Sequence, residues 1–287
     1  MKEEILALFR YGIPKRKGSI FDLRMNNFEN LKAPVFFVST GRTGTKWFAD
    51  LFSKNKKTLV FHVPRPTFSF QHVFIYNLIK NNLLQKDDFL WQAVAEIFMA
   101  GREEILRYSY KTDKGYIETN NFLTFFVPVI AELIPNAKFV HLYRHPGEFV
   151  RSALSRNYYG ENDPNIMRRI LPVNDEFKEK WGKFTQIEKS AWLWYETNQI
   201  IEEFKLNLHK ERVFSFNFNQ LNIENVKTLT EFLDFDFPEK IIRKRLNKKL
   251  NVQKTKSFPP YKEWKEQDKQ KLIHICGELA VRYGYNL

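Results

Sequence analysis

The feature that most restricts the fold of this chain is a short apolar run that ends in a glycine-rich turn. Residues 33–38 (APVFFV) are rich in β-branched and aromatic side chains, which is typical of a buried strand. The turn at 39–44 (STGRTG) follows directly, and residues 46–52 (KWFADLF) then place apolar side chains at helical spacing. The sequence therefore predicts a strand, a tight turn and a helix in immediate succession.

The alternation of strands and helices continues along the chain. The predicted strands are 58–63, 116–120, 137–144 and 212–218, and the predicted helical segments are 70–107, 122–134, 176–210, 226–235 and 266–283. Such alternation favours an α/β fold in which a central parallel sheet is flanked by helices. In folds of this kind, ligands bind beyond the carboxyl ends of the strands.

The turn after the first strand has the composition of an anion-binding loop. Gly41 and Gly44 allow the backbone to fold tightly and to present N–H groups, and the helix that follows adds a positive partial charge. Further hydrogen-bond donors are the side chains of Arg42, Thr43, Thr45 and Lys46. A phosphate group fits such a loop.

The loop differs from the phosphate loop of nucleoside triphosphatases. That loop requires a Ser or Thr directly after its lysine to hold Mg²⁺, whereas Trp47 follows Lys46 here. A nucleotide-dependent kinase is therefore an alternative that the sequence disfavours. The chain also lacks a His-Glu-x-x-His pattern and has a single cysteine, Cys276, so we predict no metal site.

A second strand-to-helix unit, residues 139–152, carries another candidate anion site. Arg144 lies where the predicted strand ends, and Ser152 follows it by about two helical turns. A guanidinium fork combined with a hydroxyl suits a phosphate monoester. Taken alone, Arg144 could equally be a structural residue at the edge of the sheet.

Together, the two units resemble the two binding motifs of the sulfotransferase superfamily for 3′-phosphoadenosine-5′-phosphosulfate (PAPS). Residues 41–47 (GRTGTKW) are similar to the 5′-phosphosulfate loop, and the spacing of Arg144 and Ser152 is similar to the 3′-phosphate site. The resemblance implies a sulfotransferase fold related to that of the P-loop nucleoside triphosphatases, in a single domain at 33–287 preceded by an N-terminal extension at 1–32. It also implies transfer of a sulfuryl group from PAPS to a hydroxyl or amine.

The resemblance assigns roles to the loop residues. Arg42 would bind the phosphosulfate and offset charge on the bridging oxygen, while residues 43–46 would hold the 5′-phosphate. Trp47 would stack on adenine, although a first-turn core aromatic is the alternative. The sequence departs from the family pattern at Lys46, where a threonine is frequent, and at Phe218, where many members have a tyrosine near adenine.

The base that accepts the proton of the acceptor has two candidates. Some family members carry it about twenty residues after the first loop, where this chain has His62. Others carry a histidine at a place that corresponds here to Asn120, which cannot act as a base, and Glu118 lies close by. A histidine titrates near neutral pH, so His62 is favoured over Glu118.

The net charge of +13 indicates an anionic partner, and the basic segment 240–256 contains no acidic residue. A nucleic-acid-binding protein is therefore an alternative, but no zinc-finger spacing or aromatic RNA-binding motif supports it. For most of the lysines and arginines in this segment, the solvated face of a helix is the simpler interpretation.

Localisation and acceptor are the least determined properties. The absence of a long apolar run and of a cysteine pair favours a cytoplasmic protein without a transmembrane segment. The acceptor is predicted only as a hydroxyl-bearing molecule, with a saccharide as one candidate, and segments 64–115 and 156–185 are predicted to form its side of the site.

Overall fold

A computed structural model describes residues 32–247 and 258–287 of the 287-residue chain. Its centre is a five-stranded sheet of order β2-β3-β1-β4-β5 in which every neighbouring pair is parallel. The strands are β1 (Val35–Val38), β2 (Thr58–His62), β3 (Gly115–Thr119), β4 (Lys138–Tyr143) and β5 (Val213–Asn217). The predicted α/β fold with a central parallel sheet is confirmed.

Ten α-helices connect and cover these strands in the described part of the chain. They are α1 (Thr45–Phe52), α2 (Gln71–Lys80), α3 (Phe89–Lys111), α4 (Val127–Leu133), α5 (Pro146–Leu154), α6 (Glu176–Lys180), α7 (Gln186–Leu206), α8 (Ile223–Phe232), α9 (Glu239–Leu246) and α10 (Glu266–Arg282). Parallel neighbours need such crossovers, since a short turn cannot return the chain to the start of the next strand.

The sheet separates two hydrophobic cores, because successive side chains of a strand point to opposite faces. Phe36 of β1 packs into one core with residues of α2, α3, α4, α5, α7 and α10. Its neighbour Phe37 packs into the other core with residues of α1, α8 and α9. Both phenylalanines are fully buried, so the central strand is covered on both sides.

Three predicted helical segments are interrupted in the structure. Segment 70–107 forms two helices, α2 and α3, and segment 176–210 forms α6 and α7 with a 3₁₀ turn between them. Segment 122–134 begins as a 3₁₀ helix, Asn121–Phe126, and becomes α-helical only at Val127. Pro128 lies at the start of α4, the position at which proline is tolerated because its missing N–H is not needed.

The register of the sheet brings the predicted site residues to one edge. His62 at the end of β2 pairs with Thr119 at the end of β3. The loop after β1 and Arg144 after β4 lie at the same edge, because β1 is hydrogen-bonded to both β3 and β4. The predicted domain boundary at residue 33 stays a prediction, since the predicted extension falls almost wholly outside the described residues.

Candidate active site

Hydrogen bonds within the loop between β1 and α1, and from the loop to Thr124, fix the first residues of this loop. The backbone N–H of Ser39 donates to Thr124 Oγ1 at 3.1 Å, and the Thr124 hydroxyl donates to the carbonyl of Ser39 at 3.0 Å. The amide of Gly41 donates to Ser39 Oγ at 3.0 Å. These contacts anchor the start of the loop to the 3₁₀ helix that follows β3.

Gly44 forms the junction between the loop and α1, where a side chain would be strained and would clash with Phe218. Its φ of 96° lies in the left-handed region, and a Cβ would come within 2.1 Å of the Phe218 ring. The first amides of a helix, here those of Thr45 and Lys46, have no carbonyl partner within the helix, and Gly44 offers no side chain to cap them. These N–H groups and the helix dipole are suited to an anion.

The second predicted site lies against the first. Arg42 Nε donates to Ser152 Oγ at 3.0 Å, although 110 residues separate them in sequence. Arg144 Nη1 lies 3.4 Å from the carbonyl oxygen of Arg42, and its Nη2 lies 3.3 Å from Glu148 Oε2. The two strand-to-helix units therefore share one site rather than forming two.

Contacts that the sequence did not suggest hold the turn between β4 and α5. Trp194 Nε1 donates to the carbonyl of Arg144 at 2.9 Å, and the amide of His145 donates to Asn219 Oδ1 at 2.8 Å. His145 Nδ1 in turn accepts from the amide of Gly147, which caps α5. No local pattern identifies Trp194 or Asn219, because their partners are distant in the sequence.

A pocket of about 590 Å³ opens beside the loop. Ser39, Gly41, Arg42 and Thr45 line one side, and His62 lies on its border at the end of β2. His62 Nδ1 is 3.1 Å from the backbone oxygen of Thr119 and 3.0 Å from its hydroxyl. Partial burial lowers the pKa of His62, and the charge of Lys46 lowers it further. A ring that donates from Nδ1 to this carbonyl carries its lone pair on Nε2.

Glu118 occupies a different environment, which speaks against its predicted role as a base. Its carboxylate is fully buried and accepts from Arg102 Nε at 2.7 Å and from Arg102 Nη2 at 2.8 Å. The Tyr116 hydroxyl and Asn120 Nδ2 donate to the same carboxylate. Glu118 does not line the pocket, so the structure separates the two candidate bases.

The model of the sulfotransferase family matches residues 34–239, well over half of the chain. This chain belongs to the sulfotransferase family. A comparison with curated protein sequences gave no significant match.

Solved sulfotransferases share the fold at low sequence identity. A sulfotransferase domain from the Synechococcus PCC 7002 olefin synthase superposes with a TM-score of 0.50 at 15% identity, over 91% of this chain and 98% of that one. The sulfotransferase STF9 from Mycobacterium avium gives a TM-score of 0.52 at 12% identity, over 90% of this chain and 78% of that one. At these identities the likeness concerns the fold alone.

Trp47 of this sulfotransferase is more firmly packed than the adenine-stacking role suggested. Its side chain is buried among the residues of α1, and the Arg245 guanidinium lies 4.9 Å from the centroid of its ring. Arg245 also pairs with Asp50 of α1 at 2.7 Å. The contacts favour the alternative of a core aromatic. Phe218, the other position at which the sequence departs from the family pattern, packs on Gly44 and Phe48.

The basic segment of the sulfotransferase is only partly described. Arg245 is buried over Trp47 and serves the packing of α9, whereas Arg243 is exposed and pairs with Glu239 of the same helix. Four further lysines lie outside the described residues: Lys248, Lys249, Lys254 and Lys256. Among the residues that the structure does describe, no helix has the length and hydrophobicity to span a bilayer.

Proposed function

We propose that this sulfotransferase moves a sulfuryl group from PAPS to a hydroxyl or amine of its acceptor and releases 3′-phosphoadenosine-5′-phosphate (PAP). The hydrogen bond between Arg42 and Ser152 carries this proposal, because it joins both anion-binding units beside a pocket bordered by His62. PAPS bears a phosphosulfate and a separate 3′-phosphate, and therefore needs two such units.

Polar groups without partners support this choice of donor. Within the described residues, the buried Thr43 hydroxyl and the buried Nε of Arg144 have no hydrogen-bond partner. A buried polar group without a partner costs free energy, and the two anionic groups of PAPS would supply one partner to each. We assign the 5′-phosphosulfate to residues 41–46 and the 3′-phosphate to Arg144 and Ser152. The Ser152 hydroxyl accepts from Arg42 and therefore still has its own proton to donate.

The transfer breaks one bond and forms another at sulfur. The acceptor oxygen or nitrogen attacks the sulfur, and the bond from sulfur to the bridging oxygen of the donor breaks, with its electron pair remaining on PAP. Arg42 and the amides at the start of α1 stabilise the charge that grows on that oxygen. Catalysis of this type depends on positioning and charge stabilisation more than on a covalent intermediate.

His62 is the group that we assign to the proton of the acceptor. Its Nδ1 is held by Thr119, and its depressed pKa keeps the ring neutral, so Nε2 can accept a proton at neutral pH. Glu118 cannot replace it without leaving Arg102 unpaired in the protein interior.

Calorimetric titration of the protein with PAP and with ATP tests the donor assignment. We expect PAP to bind and ATP to bind much more weakly, since ATP has no 3′-phosphate for Arg144 and the loop has no hydroxyl after Lys46. Incubation with ³⁵S-labelled PAPS and an acceptor panel should then yield labelled product. Preference for ATP, or the absence of PAP binding, would contradict the proposed function.

A further inference from the structure

Apart from the loop after β1, the pocket is lined by a second group of positively charged residues, which we call the arginine wall. Arg156, Arg168 and Arg169 form this wall, and Tyr158 and Asn165 also line the pocket. No carboxylate is found among the described residues that line the pocket. The donor PAPS already has cationic partners in Arg42, Lys46 and Arg144. The positive charge of the arginine wall therefore needs a separate explanation.

Arg169 is the structural member of this group. It forms an ion pair with Asp163, and its guanidinium lies 3.4 Å from the ring centroid of Tyr158. Asp163 also accepts from the amide of Tyr159 at 3.0 Å. This cluster fixes the segment that carries the other two arginines.

Arg156 and Arg168 have no such neutralisation. Both are exposed, and neither forms an ion pair with a carboxylate of the described residues. Arg168 stacks on the exposed ring of Phe70, with 5.1 Å between its guanidinium carbon and the ring centroid. Burial lowers the pKa of Arg42, and the positive charge of Arg156 lowers it further, so unbalanced positive charge reaches from this wall to the donor loop.

A neutral polar group completes the pocket. His72 lines it, and the ring is buried against Phe125 at 4.6 Å between centroids. Its Nδ1 has no hydrogen-bond partner in the described part of the chain, and burial lowers the pKa of this histidine to about 3. His72 therefore remains uncharged and adds no charge to the pocket.

We infer that the acceptor is an anionic hydroxyl compound, whose carboxylate, phosphate or sulfate is bound by Arg156 and Arg168 while its hydroxyl lies beside His62. The inference rests on the proposed function and restricts its acceptor to a charged class. Guanidinium groups bind such oxyanions through paired, charge-assisted hydrogen bonds, and an uncharged acceptor would leave both arginines unused.

Matched acceptor pairs that differ only in charge test the inference. With ³⁵S-labelled PAPS as donor, we would compare methyl β-D-glucuronide with methyl β-D-glucoside, 4-hydroxybenzoate with 4-hydroxybenzamide, and glycerol 3-phosphate with glycerol. The expected result is a kcat/KM at least tenfold higher for the charged member of one or more pairs. Arg156→Gln and Arg168→Gln should each lower that value by about 10–100-fold, the range for a charge-assisted hydrogen bond.

Two controls separate this inference from the proposed function. Lys111→Gln makes the same change in net charge at the exposed end of α3, outside the pocket, and should leave the preference unchanged. The affinity for PAP, measured by calorimetry, should be unchanged in Arg168→Gln and should fall far less than kcat/KM in Arg156→Gln, whose charge acts on Arg42.

Several results would overturn the inference. An equal or higher kcat/KM for the neutral compounds would contradict an anionic acceptor. The absence of labelled product from every anionic compound, while PAP still binds, would contradict it as well. A loss of PAP affinity in the two arginine variants would assign this wall to the donor instead. Failure of the unaltered protein to bind PAP would contradict the proposed function itself.

Discussion

On the donor side of the pocket, polar side chains are bound to one another before any ligand arrives. Arg42 donates to Ser152, and Arg144 lies between the Arg42 carbonyl and Glu148. On the proposed acceptor side, Arg156 follows α5 and Arg168 ends a short 3₁₀ helix, Ile166–Arg168, and neither has a carboxylate partner among the described residues. The comparison teaches that hydrogen bonds between side chains can preorganise a binding site, as they do around Arg42. At the arginine wall, unpaired charge is the main means of binding that we propose.

Substitution of His62, which borders the pocket between the donor loop and the proposed acceptor side, should have the largest effect on the rate. His62→Ala should lower kcat by about 10²–10⁴-fold, the usual contribution of a general base. PAP affinity should remain nearly unchanged, because His62 is not part of the donor loop. Steady-state kinetics combined with PAP calorimetry provide the two values. A parallel loss of PAP affinity would place His62 on the donor side and break the comparison.

The pH dependence of the rate sharpens the role of His62. The neutral ring accepts the proton, so kcat/KM should fall as the pH decreases through the pKa of His62. Partial burial and the charge of Lys46 place that pKa below the ordinary value of about 6.5. The profile of His62→Ala should lack this acidic limb, and a limb that persists would identify another group.

Glu118 should act on stability rather than on the chemical step. Glu118→Gln leaves the buried Arg102 without its charge partner and should reduce the free energy of unfolding by about 3–5 kcal/mol. Urea denaturation measures the loss, and Glu176→Gln, at an exposed ion pair with Lys180, should change little. A folded Glu118→Gln variant with normal stability and no activity would restore Glu118 as the base.

Arg144 should matter for donor binding and for the 3′-phosphate in particular. Arg144→Gln should weaken PAP binding by about 2–4 kcal/mol, the cost of removing one partner of a desolvated charge pair. AMP, which lacks the 3′-phosphate, should bind the variant and the unaltered protein alike. If AMP affinity falls as much as PAP affinity, Arg144 supports the fold of the site instead of binding the 3′-phosphate.

The smallest effect should come from Ser152. Ser152→Ala removes the oxygen that accepts from Arg42 Nε and should weaken PAP binding by about 1 kcal/mol. Calorimetry at several temperatures can measure a difference of this size. An affinity equal to that of the unaltered protein would mean that the hydroxyl serves Arg42 alone.

The parts of the site that the sequence predicted are those encoded by adjacent residues. The strand, turn and helix at 33–52 and the unit at 139–152 each combine a strand pattern with polar residues at its carboxyl end, so their placement follows from the fold class. The splitting of segment 122–134 was missed, because the exchange of hydrogen bonds between Ser39 and Thr124 depends on the tertiary structure.

The pairing of Arg102 with Glu118 could not be predicted from local sequence. Arg102 lies within the helical pattern of α3 and is fully buried, which is rare for arginine unless it is paired. Only the packing of α3 against β3 brings the two charges together. Arg156 and Arg168 fall within segment 156–185, which the sequence predicts for the acceptor side, but no local pattern singles out these two arginines.

The contact between Gly44 and Phe218 also constrains how the protein can evolve. The Phe218 ring fills the space that any side chain at position 44 would need. A larger residue at position 44 therefore requires a smaller one at position 218, and the left-handed backbone penalises the change even then. A side chain at position 44 should therefore be found only in sequences that carry a small residue at position 218, whereas position 218 can vary as long as Gly44 is kept.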